Sequence, residues 1–381
     1  MKDIYLLGAT GSIGKQVCDI LKAYPHEFRL MTATAYSNIQ ALKEIIDTFT
    51  PEFVSVGSEE AKNELKQTYP NLEIGVGEVG LVRAATYGDN GGLLVNAVVG
   101  SAGLKPTYEA IKCQRDIALA NKETLVIGGE IIVPLVKQEG VNLIPVDSEH
   151  SALMMCLEGS DKESIKHLYI TASGGSFRNR KRSELKNVTV KDALNHPNWS
   201  MGAKITVDSA TMMNKGFEVI EAHHLFDQPY DRITALLHQE SIVHGLVEFN
   251  DGSQLAHLGE PDMHVPINIA LFYPKRMPFQ AKRLDLTKVG TLHFEKVSID
   301  RYPLFEQALN AGKAGGIKPV VLNAANEAAV QLFLNGKITF LQIEQIVVEC
   351  LNKFKQDKPL SIEYILSLDE QVKETVLQQY S

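Results

Sequence analysis

From residue 3 to residue 147, short runs rich in strand-forming residues alternate with helical stretches, and no other feature of the chain constrains its fold as much. The strand candidates are IYLLGA, FRLMTATA, FVSVG, LEIGVG, LLVNAVVG, DIALAN and NLIPVD. Repeated strand, helix, strand units build a mostly parallel, doubly wound sheet, so residues 1–147 are expected to form a Rossmann-like α/β domain. Near Ser148 the pattern changes. KHLYITASG, RITALLHQ, SIVHGLVEF and SQLAHLG read as strands of a second sheet, part antiparallel, with Asn250-Asp251-Gly252 as a hairpin turn. The expected layout is therefore α/β: a nucleotide-type domain at 1–147, a central α/β domain at 148–272, a Pro-rich basic linker at 273–298 and a helical domain at 299–381. PVVLNAANEAAVQLFLNG and FLQIEQIVVECLNKF carry the helical periodicity of that last part.

Composition serves mainly to exclude. A net charge of −8 argues against nucleic acid as a partner, because binding the phosphate backbone needs a concentrated basic surface. The one basic run, RNRKRSELK at 178–186, reads as a solvated loop or at most an anion-attracting rim. No apolar stretch approaches the ~20 residues that span a bilayer, so no membrane partner is expected. Cys18, Cys113, Cys156 and Cys350 lack metal or redox spacing and read as reduced thiols. The first strand begins near Asp3, leaving no room for a leader, and the expected location is the cytoplasm.

GATGSIG places Gly8, Gly11 and Gly14 after the first strand and at the start of a helix. Free N–H groups at such a helix start attract a pyrophosphate, which points to a dinucleotide; the ordinary alternative is a tight turn with no ligand. The second strand ends in Ala35-Tyr36-Ser37-Asn38, without the acid that would hold a ribose and repel a 2′-phosphate. NADP is therefore favoured over NAD.

Asp147 and Glu149 stand where a strand gives way to a helix, NLIPVDSEHSALMM. Two carboxylates there can converge on a hard cation such as Mg²⁺ or Mn²⁺, or simply cap the helix and favour its first turn. In ITVDSATMMNKGFEVIEAHH a helix is expected to start near Asp208 or Ser209, placing Asn214, Lys215 and Glu218 on one face. If that face is buried, its charges are costly unless they bind something, which makes Glu218 a third ligand candidate; if exposed, it holds an ordinary ion pair. Ser173-Gly174-Gly175 in TASGGSF reads as an anion-binding nest or a mere turn, and HPNWSMG, with His196, Trp199 and Gly202, as a mobile lid or, through its tryptophan, an anchor in a satellite core.

Together GATGSIG, LANKE, PVDSEH, ASGGSF, HPNWSMG, VDSATMMNKGFE, LGEPDM and LNAANE resemble the 1-deoxy-D-xylulose 5-phosphate reductoisomerase family, in the family's order and from the first strand to the C-terminal helices. The resemblance implies a homodimer that uses NADPH and Mg²⁺, Mn²⁺ or Co²⁺ to make 2-C-methyl-D-erythritol 4-phosphate from a phosphorylated ketose, in the non-mevalonate isoprenoid pathway. It assigns the metal to Asp147, Glu149 and Glu218, and the substrate to Lys122, Ser148, Glu149, Ser173, His196, Ser209, Asn214, Lys215 and Glu218. Lys122, His196 and Glu149 are the implied catalytic residues, with His196 in an orienting role. Thr10, Gly11, Ser12, Ile13, Tyr36, Ser37, Asn38, Asn121, Glu123 and Gly202 match cofactor positions, with Met263 near the nicotinamide. The family commonly has Gly-Lys where this chain has Tyr36-Ser37, which implies a weaker grip on the 2′-phosphate. Two other readings stand beside this one: an NADP-dependent aldehyde dehydrogenase, which would want a nucleophilic cysteine on a polar loop, and a non-catalytic NADP sensor, which would need no carboxylate trio.

Overall fold

The computed structural model describes residues 1–380. All seven strand candidates of the first part are strands. β1 (Lys2–Leu7), α1 (Ser12–Ala23), β2 (Phe28–Thr34), α2 (Ile39–Phe49), β3 (Phe53–Val56), α3 (Glu59–Thr68) and β4 (Glu73–Val76) come first, then α4 (Gly77–Thr86), β5 (Leu93–Asn96), α5 (Leu104–Lys112), β6 (Asp116–Leu119), α6 (Lys122–Glu139) and β7 (Leu143–Pro145). They form one sheet in the order β4-β3-β2-β1-β5-β6-β7, with every pair parallel. All four residues of β3 and of β5 are buried, as expected where helices cover both faces of a parallel sheet. The strand order reverses at β1, and the crevice at the carboxyl ends of β1 and β5 is where such sheets bind ligands.

The chain groups into two compact units. The first holds this sheet and also residues 262–281, which return to it from far along the sequence. The returning helix α11 (His264–Phe272) ends in Phe272, whose ring packs edge-on against Tyr24 and Phe28 at 4.8 and 4.7 Å, and Lys2 Nζ donates to the Leu271 carbonyl at 2.9 Å.

The second unit comprises 125–131, 152–261 and the chain from Lys282 on. Here α7 (Ser148–Leu157), whose first four residues are counted with the first unit, β8 (Ile165–Ala172), α8 (Val190–Ala193), α9 (Ala203–Thr211), α10 (Met213–Phe226), β9 (Ile233–Leu237), β10 (Val243–Phe249) and β11 (Gln254–Leu258) are followed by α12 (Leu286–Val289), β12 (Glu295–Lys296), α13 (Pro303–Ala314), α14 (Lys318–Leu334), α15 (Phe340–Lys353) and α16 (Ile362–Tyr380). The sheet order is β11-β10-β8-β9-β12, parallel only between β8 and β9, and the expected hairpin joins β10 to β11. β12 lies inside the stretch read as a linker, so that stretch adds an edge strand to the sheet. Apolar residues of β8, such as Leu168 and Ile170, form one core with Val219 of α10 and Phe305 of α13. α14 is buried almost all round, the signature of a central core helix.

One expectation is corrected. Asp208 and Ser209 do not open the helix that carries Asn214, Lys215 and Glu218; they lie in the last turn of α9, and α10 begins after Met212. Met212 adopts the left-handed conformation (φ 63°), which ends one helix and turns the chain into the next.

Candidate active site

The nucleotide-type loop lies in the first unit. Gly8 has φ 78°, and a Cβ there would stand 2.5 Å from the Ala97 carbonyl oxygen, so only glycine lets the loop approach the end of β5 this closely. Gly8 N–H donates to Thr34 Oγ1 (2.9 Å) and Ala9 N–H to the Thr34 carbonyl (2.8 Å), fixing the loop to the end of β2. Gly11 is the N-cap of α1, and both Gly11 and Ser12 are exposed, beside half-buried Thr10 and Ile13. At the end of β2, Tyr36 is 84% exposed, Ser37 is exposed, and Asn38 caps α2 by accepting from Ala41 N–H at 3.1 Å. Buried Asn121 caps α6 and ties it to the loop after β5: its amide donates to the Val98 and Gly100 carbonyls (3.0 and 2.9 Å) and to Glu123 Oε2 (2.9 Å). Met263 stands at the N-terminus of α11 and exposed Gly202 at that of α9.

Asp147 performs the capping role that competed with metal binding in the sequence, since its Oδ1 accepts from Glu149 N–H at 3.1 Å. Its Oδ2 is ion-paired with the buried ammonium of Lys122, and Ser148 Oγ donates to the Glu149 carboxylate. The fully buried ring of His150, to which the sequence gave no role, stands with Nδ1 3.4 Å from Asp147 Oδ1, as its i,i+3 spacing allows. The Asn214, Lys215, Glu218 face is buried: Lys215 is 4% exposed and Glu218 1%. Glu218 is held by the Lys215 ammonium and by Asn214 Nδ2 at 2.5 Å. Asp147 and Glu149 belong to the first unit and Glu218 to the second, and the three carboxylates are the candidate metal ligands. An all-oxygen donor set of this kind fits a hard divalent cation.

The polar groups around α9 and α10 come together within the second unit. Gly174 and Gly175 both have positive φ (84° and 73°), and Gly175 N–H donates to Ser173 Oγ at 3.3 Å, closing a tight turn after β8. A Cβ on Gly175 would lie 2.5 Å from the Ser209 carbonyl oxygen, so glycine is what seats this turn against the end of α9. His196 Nδ1 accepts from the N–H groups of Asn198 (3.2 Å) and Trp199 (3.0 Å), which places the ring proton on Nε2, and Nε2 donates to Ser173 Oγ at 3.0 Å. Burial, helped by the charge of Arg178, pulls the His196 pKa down to about 4, so the ring is a neutral donor at ordinary pH. Asn198 fastens the HPNW segment by donating to the Gln239 carbonyl and to Ser241 Oγ, both at 2.7 Å. The signal for this contact was present in HPNW, but its partner lies some forty residues away.

Three of the four cysteines are buried. Burial raises the Cys18 thiol to about 12 and that of Cys350 to about 11, and Cys156 is buried as well. Only Cys113, half-buried in the turn that ends α5, is left to serve the aldehyde dehydrogenase reading.

Family models match nearly the whole chain: 1-deoxy-D-xylulose 5-phosphate reductoisomerase over residues 4–129, its C-terminal domain over 143–226, and the DXP reductoisomerase C-terminal domain over 258–375. The chain is 51% identical over 378 residues to the 1-deoxy-D-xylulose 5-phosphate reductoisomerase of Geobacillus sp. (strain WCH70), covering 99% of each. It is 52% identical over 373 residues to that of Bacillus subtilis (strain 168), covering 97% of each. Among solved structures it resembles the Zymomonas mobilis reductoisomerase in complex with NADPH (TM-score 0.92, 37% identity, 100% of this chain and 99% of that one). It also resembles a DOX-P reductoisomerase in complex with NADPH, fosmidomycin and magnesium (TM-score 0.94, 37% identity, 100% and 98%). With its motifs, fold and family models in agreement over most of its length, the chain belongs to the 1-deoxy-D-xylulose 5-phosphate reductoisomerase family.

Proposed function

We propose that Asp147, Glu149 and Glu218 hold the divalent cation with which this chain, using NADPH, rearranges and reduces 1-deoxy-D-xylulose 5-phosphate to 2-C-methyl-D-erythritol 4-phosphate in the non-mevalonate isoprenoid pathway. The burial of the Glu218 carboxylate, with Asp147 and Glu149 in the PVDSEH motif of the family, supports the assignment. When bound, Mg²⁺, Mn²⁺ or Co²⁺ supplies Lewis acidity toward the substrate's ketone and hydroxyl oxygens, and NADPH supplies the hydride.

This chain's residues bind, orient and shield. Ser173, Ser209, Asn214 and Lys215 grip the phosphate, with the nest N–H groups and the Lys215 ammonium as donors. His196, held in one tautomer by the Asn198 and Trp199 N–H groups, offers its Nε2–H as a fixed neutral donor. Lys122 and Ser148 position the substrate beside Asp147 and Glu149, and Lys122 and the lid exclude water from the reacting carbons. Residues 1–147 carry the NADPH on Thr10, Gly11, Ser12, Ile13, Tyr36, Ser37, Asn38, Asn121 and Glu123, with Gly202 and Met263 completing its site. Residues 148–272, together with Asp147, carry the metal and phosphate groups. Tyr36-Ser37 offers no cation to the 2′-phosphate, so the preference for NADPH over NADH is modest.

The deciding experiment is NADPH oxidation by the purified protein. Oxidation is expected only with both 1-deoxy-D-xylulose 5-phosphate and Mn²⁺ present, lost on treatment with EDTA and restored by added Mn²⁺. Oxidation that ignores either one overturns the reading, and NADPH binding without any turnover would revive the sensor alternative.

The same reading makes the chain a cytoplasmic homodimer. Its free, mostly buried thiols suit a reducing compartment, and no helix among the described residues is long and apolar enough to cross a membrane. β11 is an edge strand whose Gln254, Leu255 and Ala256 are exposed, with Leu255 at 51%, and an edge of that kind is a ready surface for a second copy.

A further inference from the structure

The corner between α9 and α10 buries a carboxylate that plays no part in the groups assigned above. Asp208 is 2% exposed. Its Oδ2 accepts from Lys204 Nζ at 2.9 Å, one turn earlier on α9, and its Oδ1 accepts from Asn326 Nδ2 at 2.8 Å, on α14. The Lys204 ammonium also lies 5.7 Å from the centre of the Phe217 ring on α10, so one lysine touches both helices of the corner. Thr211 Oγ1 donates to the Asp208 carbonyl at 3.2 Å, tightening the last turn of α9 just before Met212. Beyond Asn326, Glu327 is paired with Lys373 (3.0 Å), which also reaches Asp369 (2.8 Å), carrying the chain of charges to α16.

Buried ion pairs are poor devices for stability, because desolvation offsets most of the attraction and an apolar trio of similar volume often does as well. They are good devices for register, since charged partners tolerate little displacement. Register matters at this corner: Ser209 follows Asp208 directly, Asn214 and Lys215 follow Met212 by two and three residues, and a single left-handed residue joins the two helices. We propose that Asp208, clamped by Lys204 and Asn326, is a positioning residue that sets the α9–α10 corner so that Ser209, Asn214 and Lys215 meet the substrate's phosphate. The proposal rests on the phosphate role given to those three residues.

Steady-state kinetics of Lys204→Met and Asn326→Leu test it, alongside Lys204→Arg and Lys215→Met. Lys204 is partly exposed, so its variants are expected to fold even if Asn326→Leu does not. Lys204→Met should raise the KM for 1-deoxy-D-xylulose 5-phosphate by about tenfold, the scale of one charge-assisted hydrogen bond, with the KM for NADPH unchanged. Lys204→Arg, which restores the cation, should recover most of that loss. If Lys204→Met and any folded Asn326→Leu protein lower the melting temperature but leave the substrate KM at its wild-type value, while Lys215→Met raises it, the clamp is only structural and the proposal fails. If Lys215→Met itself leaves that KM unchanged, the phosphate assignment fails and takes the proposal with it.

Discussion

Glu218 shows how an assignment turns on one residue's surroundings. Its spacing from Asn214 and Lys215 put the three on one helical face, but spacing says nothing about what covers a face, and an exposed ion pair would look the same in sequence. The structure buries it, with two donors on its oxygens. Glu218→Gln keeps the volume and removes the charge, so Mn²⁺-dependent turnover should fall by at least about 100-fold, since even indirect supports of a metal site are worth about 10–100-fold. NADPH binding, followed by its fluorescence, should stay near wild type; wild-type turnover would remove Glu218 from the metal shell. His196 makes a prediction about pH. Its folded pKa, about 4, lies below the ordinary value of 6.5, so as pH falls from about 6.5 to 4 the unfolded chain takes up the proton first. The stability held by the neutral ring is whole above that window and is lost through it. An NMR titration should accordingly show the His196 ring signal flat down to about pH 5; a midpoint near 6.5 would mean that the ring is neither buried nor locked in its tautomer.

At the scale of elements, the sequence was most legible where periodicity decides and least where a single backbone angle does. The seven parallel strands and the β10–β11 hairpin follow directly from apolar runs and turn residues. The α9–α10 corner does not, because Asp and Ser before an apolar run read as a helix start, whereas here they close a helix that ends on left-handed Met212. The SGG turn and the HPNW segment depend on contacts far apart in sequence, Gly175 on Ser209 and Asn198 on Gln239 and Ser241. Gly175→Ala should therefore act on two elements at once: a positive φ and a 2.5 Å contact make it destabilising by about 1–3 kcal/mol or more. It should also raise the substrate KM, as thermal unfolding and kinetics together would show; a wild-type melting temperature would deny the close packing. Trp199, the only tryptophan, lies in the segment proposed as a lid, so binding of a phosphonate ligand should change the protein's intrinsic fluorescence, and an unchanged spectrum counts against lid closure.

For the whole molecule, the return of residues 262–281 to the first sheet was out of reach of the sequence. Nothing in LGEPDM or in α11 specifies its neighbour, since an apolar helix face fits many apolar surfaces; the choice is made by packing, here by Phe272 on Tyr24 and Phe28. The assembly is a prediction at the same scale. Light scattering should give the mass of two chains, and Leu255→Asp on the exposed edge of β11 should shift it toward one; a dimer indifferent to that change would place the interface elsewhere. A last consequence follows from the pairing of Asp147 with Lys122. The carboxylate already faces a unit positive charge supplied by the chain itself, so sodium or potassium arriving there would exchange one monovalent cation for another and gain little. If Asp147 binds the proposed metal, a divalent ion gains more there than a monovalent one, because it offers the carboxylate more charge than the Lys122 ammonium already does.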